Sequence, residues 1–434
     1  MTRKFISFPI ADPQQTKSRM LNWGNRFNIC CFLDNHKYHL SHTSIECVVA
    51  AGALHNFSAN AGSALAGLAS FRESHNDWVF GHLSYDLKNE IEALSSSNFD
   101  GIGFPDLSFF VPKYILQLNE SSVTVGSCDN DHESIFHDLI NADAVRGEVS
   151  VGPVDIKSRF TRKQYIDTVE HLRRHILRGD CYEINLCQEF YVENIRIDPL
   201  QLYNRLSSAS PNPFSAFYKL NDLYLACMSP ERYLRREGTK ILSQPMKGTS
   251  PRYVDDPGLD EHSRRELENS DKERAENIMV VDLVRNDLSR ICVQGSVNVD
   301  ELCAVYSFPN VHQMISTVSG ELAGDVDFVS AIKATFPMGS MTGAPKKKVM
   351  ELIERYELTK RGLFSGSLGY IEPSGDFDLN VVIRSVLYNS SEKYLSFHAG
   401  SAITFGSNAE LEYEECLLKA AAIKKALAET NTFH

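Results

Sequence analysis

The sequence predicts an α+β fold, and three observations lead to that prediction. First, strand-turn-strand runs dominate the second half of the chain: "SAFYKLNDLYLACM" turns at Asn221-Asp222, and "YLRREGTKILSQ" turns at Glu237-Gly238. Second, helical spacing appears in separate, longer segments. Third, strands and helices do not alternate regularly, which argues against a doubly wound parallel sheet.

Apolar residues recur at helical spacing in four segments: residues 162–180, 260–287, 342–357 and 409–429. In the third of these, "TGAPKKKVMELIERYE", Thr342 is a candidate cap and Pro345 is expected at or near the first helical turn. Each of the four is predicted to be a single helix.

The composition changes once, at residues 141–160, where small residues, glycine and proline replace the periodic apolar pattern. We therefore divide the chain into an N-terminal α+β lobe, residues 1–150, and a second region, residues 156–434. Upstream of the change, strand-like runs such as "NICCFLD" mix with a helical "AGSALAGLASFRES".

Length and charge restrict the class of protein. The chain has 434 residues, of which 43% are hydrophobic, enough for one or two large cores. Its net charge is 44 − 56 = −12, and no basic run is longer than the three lysines 346–348. A negative surface repels phosphate backbones, so we expect no nucleic-acid partner.

The ten cysteines show no C-x-x-C spacing and no clustering with histidine, so we interpret them as reduced thiols. The N-terminus lacks the apolar core of a signal peptide, and no apolar run approaches the ~20 residues of a membrane span. We expect a soluble, cytoplasmic protein with no membrane partner.

The stretch "PMKGTSPR" holds Lys247 on backbone that two prolines stiffen. If the preceding hairpin turns at residues 237–239, outward pairing puts Glu231 of "MSPERY" opposite Met246 and beside Lys247, within about 5 to 8 Å. One interpretation is an ordinary cross-strand ion pair, and the other is a catalytic acid and amine.

Two Glu-x-x-Glu steps form a second constellation. Glu273 with Glu276, and Glu412 with Glu415, each place two carboxylates on one helix face. Such a step is usually a solvated helix face. Two of these faces packed together offer the oxygen ligands that Mg²⁺ prefers.

Candidate anion receivers are Arg384, a cation in the apolar run "DLNVVIRSV" that we interpret as a strand, and the glycine-rich helix start "GSMTGAPK". Each is equally compatible with a structural role. His312 lies on a strand-like run and, taken alone, is more typical of a hydrogen-bonded core histidine. Walker A, dinucleotide-binding, nucleophile-elbow and zinc-protease motifs are absent from the sequence.

Together, "GDCYEINLCQEF", "MSPERY", "PMKGTSPR", "AENIMVVDLVRNDLSRIC", "VHQMISTVSGEL", "FPMGSMTGAPKKKVMELIE", "LNVVIRSV" and "EYEECLLKA" resemble the motifs of the chorismate-utilising enzymes, in that family's order. They are spread over nearly all of residues 156–425. The resemblance implies the anthranilate synthase component I-like fold: stacked, largely antiparallel sheets flanked by helices, in two intimately packed lobes.

The resemblance also assigns catalytic roles. Lys247 matches a nucleophile that adds to ring carbon C2 of chorismate while the C4 hydroxyl departs, and Glu231 matches the acid that protonates that hydroxyl. Because a nucleophilic amine must be neutral, we expect desolvation to lower the pKa of Lys247. His312 matches a further catalytic position that orients the ring.

The remaining matches are binding residues. Gly248, Thr249, Thr342 and Gly400 match substrate contacts, and Arg384 matches the receiver of the enolpyruvyl carboxylate. For Mg²⁺, the expected cofactor, Glu276 and Glu415 match direct ligands, while Glu273 and Glu412 match ligands that act through water.

The lysine of the P-x-K-G-T motif selects a branch of the family. Members that form anthranilate typically have alanine there, whereas members that aminate C4 have lysine. Lys247 thus implies conversion of chorismate and ammonia to 4-amino-4-deoxychorismate, a step toward p-aminobenzoate and folate. The alternatives are an anthranilate-forming member and a non-catalytic subunit.

Neither a glutaminase segment nor a lyase domain is visible in the sequence. We therefore expect a separate glutamine amidotransferase subunit to supply the ammonia, and a separate enzyme to form p-aminobenzoate.

Four positions depart from the family pattern: Phe364 replaces a Tyr or Trp, Ala402 and Gly406 alter a glycine-rich run, and Glu183 stands where related amination enzymes often have Gln. Isochorismate-forming relatives have a lysine base at the position of Glu183. Its absence argues against isochorismate formation.

Overall fold

The computed structural model describes residues 2–38, 45–142, 154–309 and 311–428. The strands are β1 (Lys4–Pro9), β2 (Ile29–Asp34), β3 (Cys47–Ala59), β4 (Val79–Leu83), β5 (Leu107–Leu118), β6 (Ser122–Ser127), β7 (Lys157–Ser158), β8 (Glu183–Val192), β9 (Phe214–Leu220), β10 (Leu223–Ser229), β11 (Arg232–Glu237), β12 (Lys240–Gln244), β13 (Met246–Pro251), β14 (Asn298–Ser307), β15 (Val311–Glu321), β16 (Gly343–Ala344), β17 (Ser367–Ile371), β18 (Phe377–Asn380), β19 (Ser385–Asn389) and β20 (Tyr394–Ile403). The helices are α1 (Pro13–Asn25), α2 (Ala64–Ser74), α3 (Lys88–Ile91), α4 (His132–Ile140), α5 (Arg162–Leu177), α6 (Pro199–Ala209), α7 (Pro257–Glu268), α8 (Asp271–Ser289), α9 (Phe328–Thr335), α10 (Lys346–Tyr356) and α11 (Ala409–Ala428).

The α+β prediction is confirmed, and so are both hairpins. β9 and β10 pair around Asn221-Asp222, and β11 pairs with β12 so that Glu237 lies opposite Lys240. The change in composition at 141–160 falls largely on residues 143–153, which lie outside the described residues.

Two of the four helix predictions need correction. Residues 260–287 do not form one helix: α7 ends at Glu268, and the hydroxyl of Ser270 accepts a hydrogen bond from the Glu273 backbone N–H to begin α8. The helix predicted at 342–357 begins only at Lys346, with Pro345 as its N-cap residue. Thr342 is therefore not the cap, and the stretch before Pro345 forms a 3₁₀ turn and the short strand β16.

The pairings between these strands are antiparallel and form two arms that diverge from β5. The first arm runs through β6 and β1 on one side of β5 and through β3, β2, β9, β10, β19, β20, β8, β7 and β16 on the other. The second arm runs from β5 through β4, β17, β18, β11, β12, β15, β13 and β14. Strands from residues 1–150 thus pair directly with later ones in both arms.

Alternation along the strands sorts apolar side chains into two cores. Cys31 of the first arm shares one core with Leu234 of the second arm and Val284 of α8. Its strand neighbour Cys30 points the other way, into a core with Leu172 of α5 and Ile423 of α11. The arms are therefore stacked face to face, with helices on the outer side of the first arm and α8 beside the core between the arms.

Within the described part of the chain, no helix has the length and apolar character needed to cross a membrane.

Candidate active site

The predicted site residues gather where the chain passes between the two arms. Glu231 lies between β10 of the first arm and β11 of the second, and Arg384 lies between β18 and β19, which return the chain to the first arm. The Val381 N–H donates to the Glu231 carbonyl at 3.0 Å, and the Met228 N–H donates to the Arg384 carbonyl at 3.1 Å. Backbone hydrogen bonds thus hold the two connections side by side.

Glu231 has the environment of a carboxylic acid that keeps its proton near neutral pH. Its side chain is buried, and Oε1 accepts a hydrogen bond from the Ser340 hydroxyl at 2.7 Å. Burial raises the pKa of Glu231 to about 7, against the opposing effects of Ser340, Lys247 and the Met246 N–H. The predicted placement of Glu231 beside 246–247 agrees with these contacts.

Lys247 forms its ion pair with Glu183 rather than with Glu231. The Lys247 Nζ lies 3.0 Å from Glu183 Oε1, and both side chains are largely buried. Burial alone lowers the pKa of the ammonium, but the carboxylates of Glu183 and Glu276 outweigh it and raise the pKa above its ordinary value. The expectation of a lowered lysine pKa was therefore wrong, because sequence spacing does not reveal Glu183.

Position 248 requires a glycine because α8 packs closely against the backbone there. Its φ is +90°, and a Cβ there would lie 3.1 Å from the Glu273 side chain. The next residue, Thr249, accepts a hydrogen bond at 2.7 Å from the side chain of Gln313 on β15.

His312 lies on the opposite face of β15 from Gln313, because successive strand residues alternate. Its ring nitrogens are 2.9 Å from Ser307 Oγ and 3.2 Å from Asp260 Oδ1, and it is buried. The family resemblance implies a catalytic role for His312, whereas its neighbour Gln313 has the side chain that contacts Thr249 of the P-x-K-G-T motif.

Arg384 is a half-buried cation outside regular structure, so the prediction that it lies in a strand was wrong. Its φ is +50°, where the chain turns between β18 and β19. Burial lowers its pKa to about 10, partly opposed by the Glu231 charge. Among the described residues, none accepts a hydrogen bond from its guanidinium, which leaves this group available to an anion.

The run "GSMTGAPK" contributes by close packing rather than as a helix start. The Thr342 hydroxyl donates to the Met338 carbonyl at 3.0 Å. Gly343 has a φ of +143°, and a Cβ on it would lie 2.1 Å from the Glu183 carbonyl oxygen. Gly343 thus lets β16 press against β8 at the residue that pairs with Lys247.

The four carboxylates of the Glu-x-x-Glu steps share one electrostatic environment. The charges of Glu276, Glu412, Glu415 and Glu273 all act on Lys272, whose Nζ is 3.9 Å from Glu276 Oε1. Burial raises the pKa of Glu276 to about 7. For Glu415, burial is outweighed by Lys419, 2.7 Å away, which lowers the pKa.

Carboxylates are hard oxygen donors of the kind that suits Mg²⁺, and the charges of these four act on one lysine. In the described ranges, however, no group of three or more His, Cys, Asp or Glu side chains is arranged to hold a metal ion. The Lys272 ammonium is within electrostatic reach of all four carboxylates.

Gly400 lies on β20 opposite Cys187 of β8, and its carbonyl accepts a hydrogen bond from Lys419 at 3.1 Å. Lys419 also pairs with Glu415, so the Gly400 backbone connects to the carboxylates of α11.

Residues 29–425 match the profile of the chorismate binding enzyme family, which covers most of the chain. The chain belongs to this family. It is 35% identical to the aminodeoxychorismate synthase component 1 of Salmonella typhimurium, over 78% of this chain and 74% of that protein. The Escherichia coli protein of the same name is 33% identical over 83% of this chain and 80% of its own length.

A rice protein, the probable chloroplastic aminodeoxychorismate synthase, is 36% identical over 82% of this chain, which spans 44% of that longer protein. Among solved structures, the anthranilate synthase component I of Streptococcus pneumoniae has a TM-score of 0.77 at 25% identity, covering 90% of this chain and 94% of that one. These similarities confirm the predicted anthranilate synthase component I-like fold.

Besides the contact of Glu183 with Lys247, sequence reasoning missed two residues of the candidate site. Ser340 binds the Glu231 carboxylate, and Gln313 binds Thr249. Both lie inside quoted motifs, but only the structure shows which member of each motif faces the site. Of the departures from the family pattern, Phe364 is buried and stacks on the His398 ring at 4.9 Å between centroids.

Proposed function

We propose that this chain is an aminodeoxychorismate synthase component I, which converts chorismate and ammonia to 4-amino-4-deoxychorismate. The observation that carries the proposal is Lys247 of the P-x-K-G-T motif, held in a buried position among Glu183, Glu231 and Glu276. An amine placed beside a protonated carboxyl group is suited to covalent displacement of a hydroxyl group.

Lys247 and Glu231 carry the proposed first step. The neutral amine adds to C2 of the ring, the double bonds shift, and the C4–O bond breaks. Glu231 supplies a proton to the departing hydroxyl, for which its pKa of about 7 is suited. Ammonia then forms the C4–N bond, and the lysine leaves C2.

The substrate has two carboxylates, and the site has two regions that can receive them. Arg384, which has no acceptor among the described residues, is the proposed partner of the enolpyruvyl carboxylate. Gly248, Thr249, Thr342 and Gly400 are proposed to line the ring. His312 is proposed to act by holding this wall in place, through its contacts with Ser307 and Asp260.

Glu276 and Glu415 are the proposed direct ligands of Mg²⁺, with Glu273 and Glu412 acting through water. When bound, the metal would hold and neutralise the ring carboxylate. The environment of Glu276 is compatible with such a metal. The raised pKa of Glu276 reflects a buried carboxyl group, and a nearby cation would stabilise its charged form.

The ammonia is proposed to come from a separate glutamine amidotransferase, because the bacterial relatives are named as component 1 of their enzyme, which implies a second component. We also propose a cytoplasmic location and the folate pathway. All ten cysteines are free thiols, which is typical of a reducing compartment.

Product analysis tests the proposal. The purified chain, chorismate, Mg²⁺ and ammonium are incubated at pH near 8, and products are separated by mass and retention time. We expect 4-amino-4-deoxychorismate, with p-aminobenzoate only after a lyase is added, and no product from Lys247→Ala. Fluorescent anthranilate would identify the other amination branch, and an inert wild type that binds no Mg²⁺ would indicate a non-catalytic subunit.

A further inference from the structure

The ion pair between Lys247 and Glu183 suggests how the nucleophile loses its proton, and this inference rests on the proposed function. Lys247 Nζ is paired with the buried Glu183 carboxylate at 3.0 Å, so its ammonium form is favoured in the free protein. An ammonium has no lone pair and cannot attack carbon. The ammonium must therefore lose a proton before the amine can attack.

Glu183 is the group in contact with that proton. Its side chain is 2% exposed, and its Oε1 lies 3.0 Å from Lys247 Nζ. The second oxygen, Oε2, is buried and has no hydrogen-bond partner among the described residues. Lys247 is thus the principal stabilising contact of this carboxylate.

Burial of such a weakly solvated ion pair is costly. Moving one proton from Nζ to Oε1 turns two buried charges into a neutral amine and a neutral carboxylic acid. That transfer removes the desolvation cost of both charges, which offsets part of the attraction that favours the ion pair.

The backbone at Glu183 is held firmly enough to fix this geometry. Glu183 begins β8, where it lies opposite Ala344 of β16, and the neighbouring Gly343 permits close contact with its carbonyl. On its other side β8 pairs with β20, and Asn185 lies opposite Ala402. The carboxylate therefore points at Lys247 from a strand bonded on both sides.

We propose that Glu183 is a positioning residue that holds the Lys247 amine in the site and accepts its proton before the amine adds to chorismate. An N–H bond at Nζ breaks and an O–H bond at Glu183 Oε1 forms. The freed lone pair makes the C–N bond at C2, and the C4 hydroxyl leaves as water with the proton of Glu231. The nitrogen gains a positive charge as Glu231 becomes negative, so charge balances.

A glutamine in this place, as in related amination enzymes, accepts a hydrogen bond but cannot take the proton. Glu183 therefore gives this chain an internal acceptor that glutamine-bearing relatives lack.

Competitive acetylation of the free protein tests the pair without substrate. Acetic anhydride labelling of Lys247 is followed by peptide mass spectrometry across a range of pH. In Glu183→Gln the ammonium loses its neighbouring charge, and we expect labelling near pH 8 to be about tenfold faster than in the wild type. Glu183→Asp, which keeps the charge, should label more slowly than Glu183→Gln.

Glu193→Gln is the matched control, because it removes the carboxylate of an exposed pair with Lys157, 2.9 Å apart. Labelling of Lys247 should not change in that variant. Equal Lys247 labelling rates in the wild type and Glu183→Gln would contradict the proposal.

Amination rates at a fixed concentration of free NH₃ test the catalytic part. We expect the rate of Glu183→Gln relative to the wild type to be about tenfold lower near pH 7 and to approach one near pH 9, because the variant's amine must lose its proton to water. A ratio that is independent of pH would reduce Glu183 to a packing role. Absence of aminated product from the wild type would instead contradict the proposed function, whatever the labelling shows.

Discussion

Glu231 and Arg384 lie side by side in two connections that pass between the arms of the sheet. Backbone hydrogen bonds from Val381 to Glu231 and from Met228 to Arg384 join each connection to its neighbour. The charge of Glu231 partly opposes the burial that lowers the pKa of Arg384. The proposed proton donor and the proposed anion receiver are therefore fixed side by side by the fold, and they do not form an ion pair with each other.

Arg384→Gln should separate binding from stability. We expect the KM for chorismate to rise about tenfold or more, since a charge-assisted contact to a carboxylate is lost. The free energy of unfolding should not fall, because the wild-type guanidinium has no acceptor among the described residues. Initial rates and urea unfolding measure the two quantities.

Arg232 provides the contrast for that experiment. It is buried and pairs with Asp378 at 2.9 Å, so Arg232→Gln should destabilise the fold by about 3 kcal/mol or more. If Arg384→Gln behaves like Arg232→Gln, Arg384 is structural rather than a substrate contact.

Glu231→Gln should slow amination by about 10²- to 10⁴-fold, because the amide cannot protonate the leaving hydroxyl. The wild-type rate, measured at constant free NH₃, should fall as the pH rises through about 7, where Glu231 loses its proton. Glu237→Gln, on the same hairpin but with a side chain 67% exposed, is the control and should retain wild-type kinetics. A wild-type pH profile without a decline near 7 would contradict the acid role.

The same carboxyl group should make stability depend on pH. Its pKa is 4.5 in an ordinary environment and about 7 in the folded chain. Between these values the folded state binds more protons than the unfolded state, so stability falls as the pH rises from about 4.5 to about 7. The loss from Glu231 amounts to at most about 3 kcal/mol.

Glu231→Gln removes this dependence. Urea unfolding in EDTA should show the variant more stable than the wild type near pH 8, and the difference should shrink near pH 5. Equal stability of the two proteins at both pH values would show that Glu231 is not buried as a neutral acid.

The local parts of this site could be predicted from sequence, and the distant pairings could not. The turn at Gly238 fixed the hairpin, and the hairpin placed Glu231 beside the loop of Lys247. Lys247 and Glu183 are 64 residues apart and lie on different arms, so no local sequence pattern indicates that they are in contact. That missing partner is why the direction of the lysine pKa was wrong.

Arg384 shows a second limit of pattern reasoning. Its apolar neighbours are typical of a strand, and the residues after it do form β19. The chain changes arms at this position, which requires a backbone turn that an apolar pattern does not indicate. The break between α7 and α8 is similar, since helical periodicity continues through Ser270 although that residue caps a new helix.

Lys272 should compete with Mg²⁺ for the carboxylates of α8 and α11. Its ammonium interacts with all four of them, so Lys272→Ala should increase the affinity for Mg²⁺ by about tenfold in calorimetry. Glu276→Gln should weaken binding by a similar factor. Lys163→Ala, which removes an exposed partner of Asp167 on α5, is the control and should change nothing. Wild-type affinity in both site variants would place the metal elsewhere.

Gly343→Ala should be among the most harmful single-methyl changes in the site. The new Cβ would meet the Glu183 carbonyl oxygen at 2.1 Å, and the residue has a φ of +143°. Gly103 is the matched control, since it has a φ of +80° but open space around the position of a Cβ. Gly103→Ala should therefore cost only the backbone strain, about 1 kcal/mol, whereas Gly343→Ala adds the displacement of β16 from β8.

That displacement should also disturb the Lys247–Glu183 pair, because Glu183 lies in the strand that must move. We expect Gly343→Ala to raise the acetylation rate of Lys247 as Glu183→Gln does, and Gly103→Ala to leave it at the wild-type value. Urea unfolding supplies the stabilities, and peptide mass spectrometry supplies the labelling rates. Equal losses of stability in the two glycine variants would show that the contact between β16 and β8 is loose and does not position Glu183.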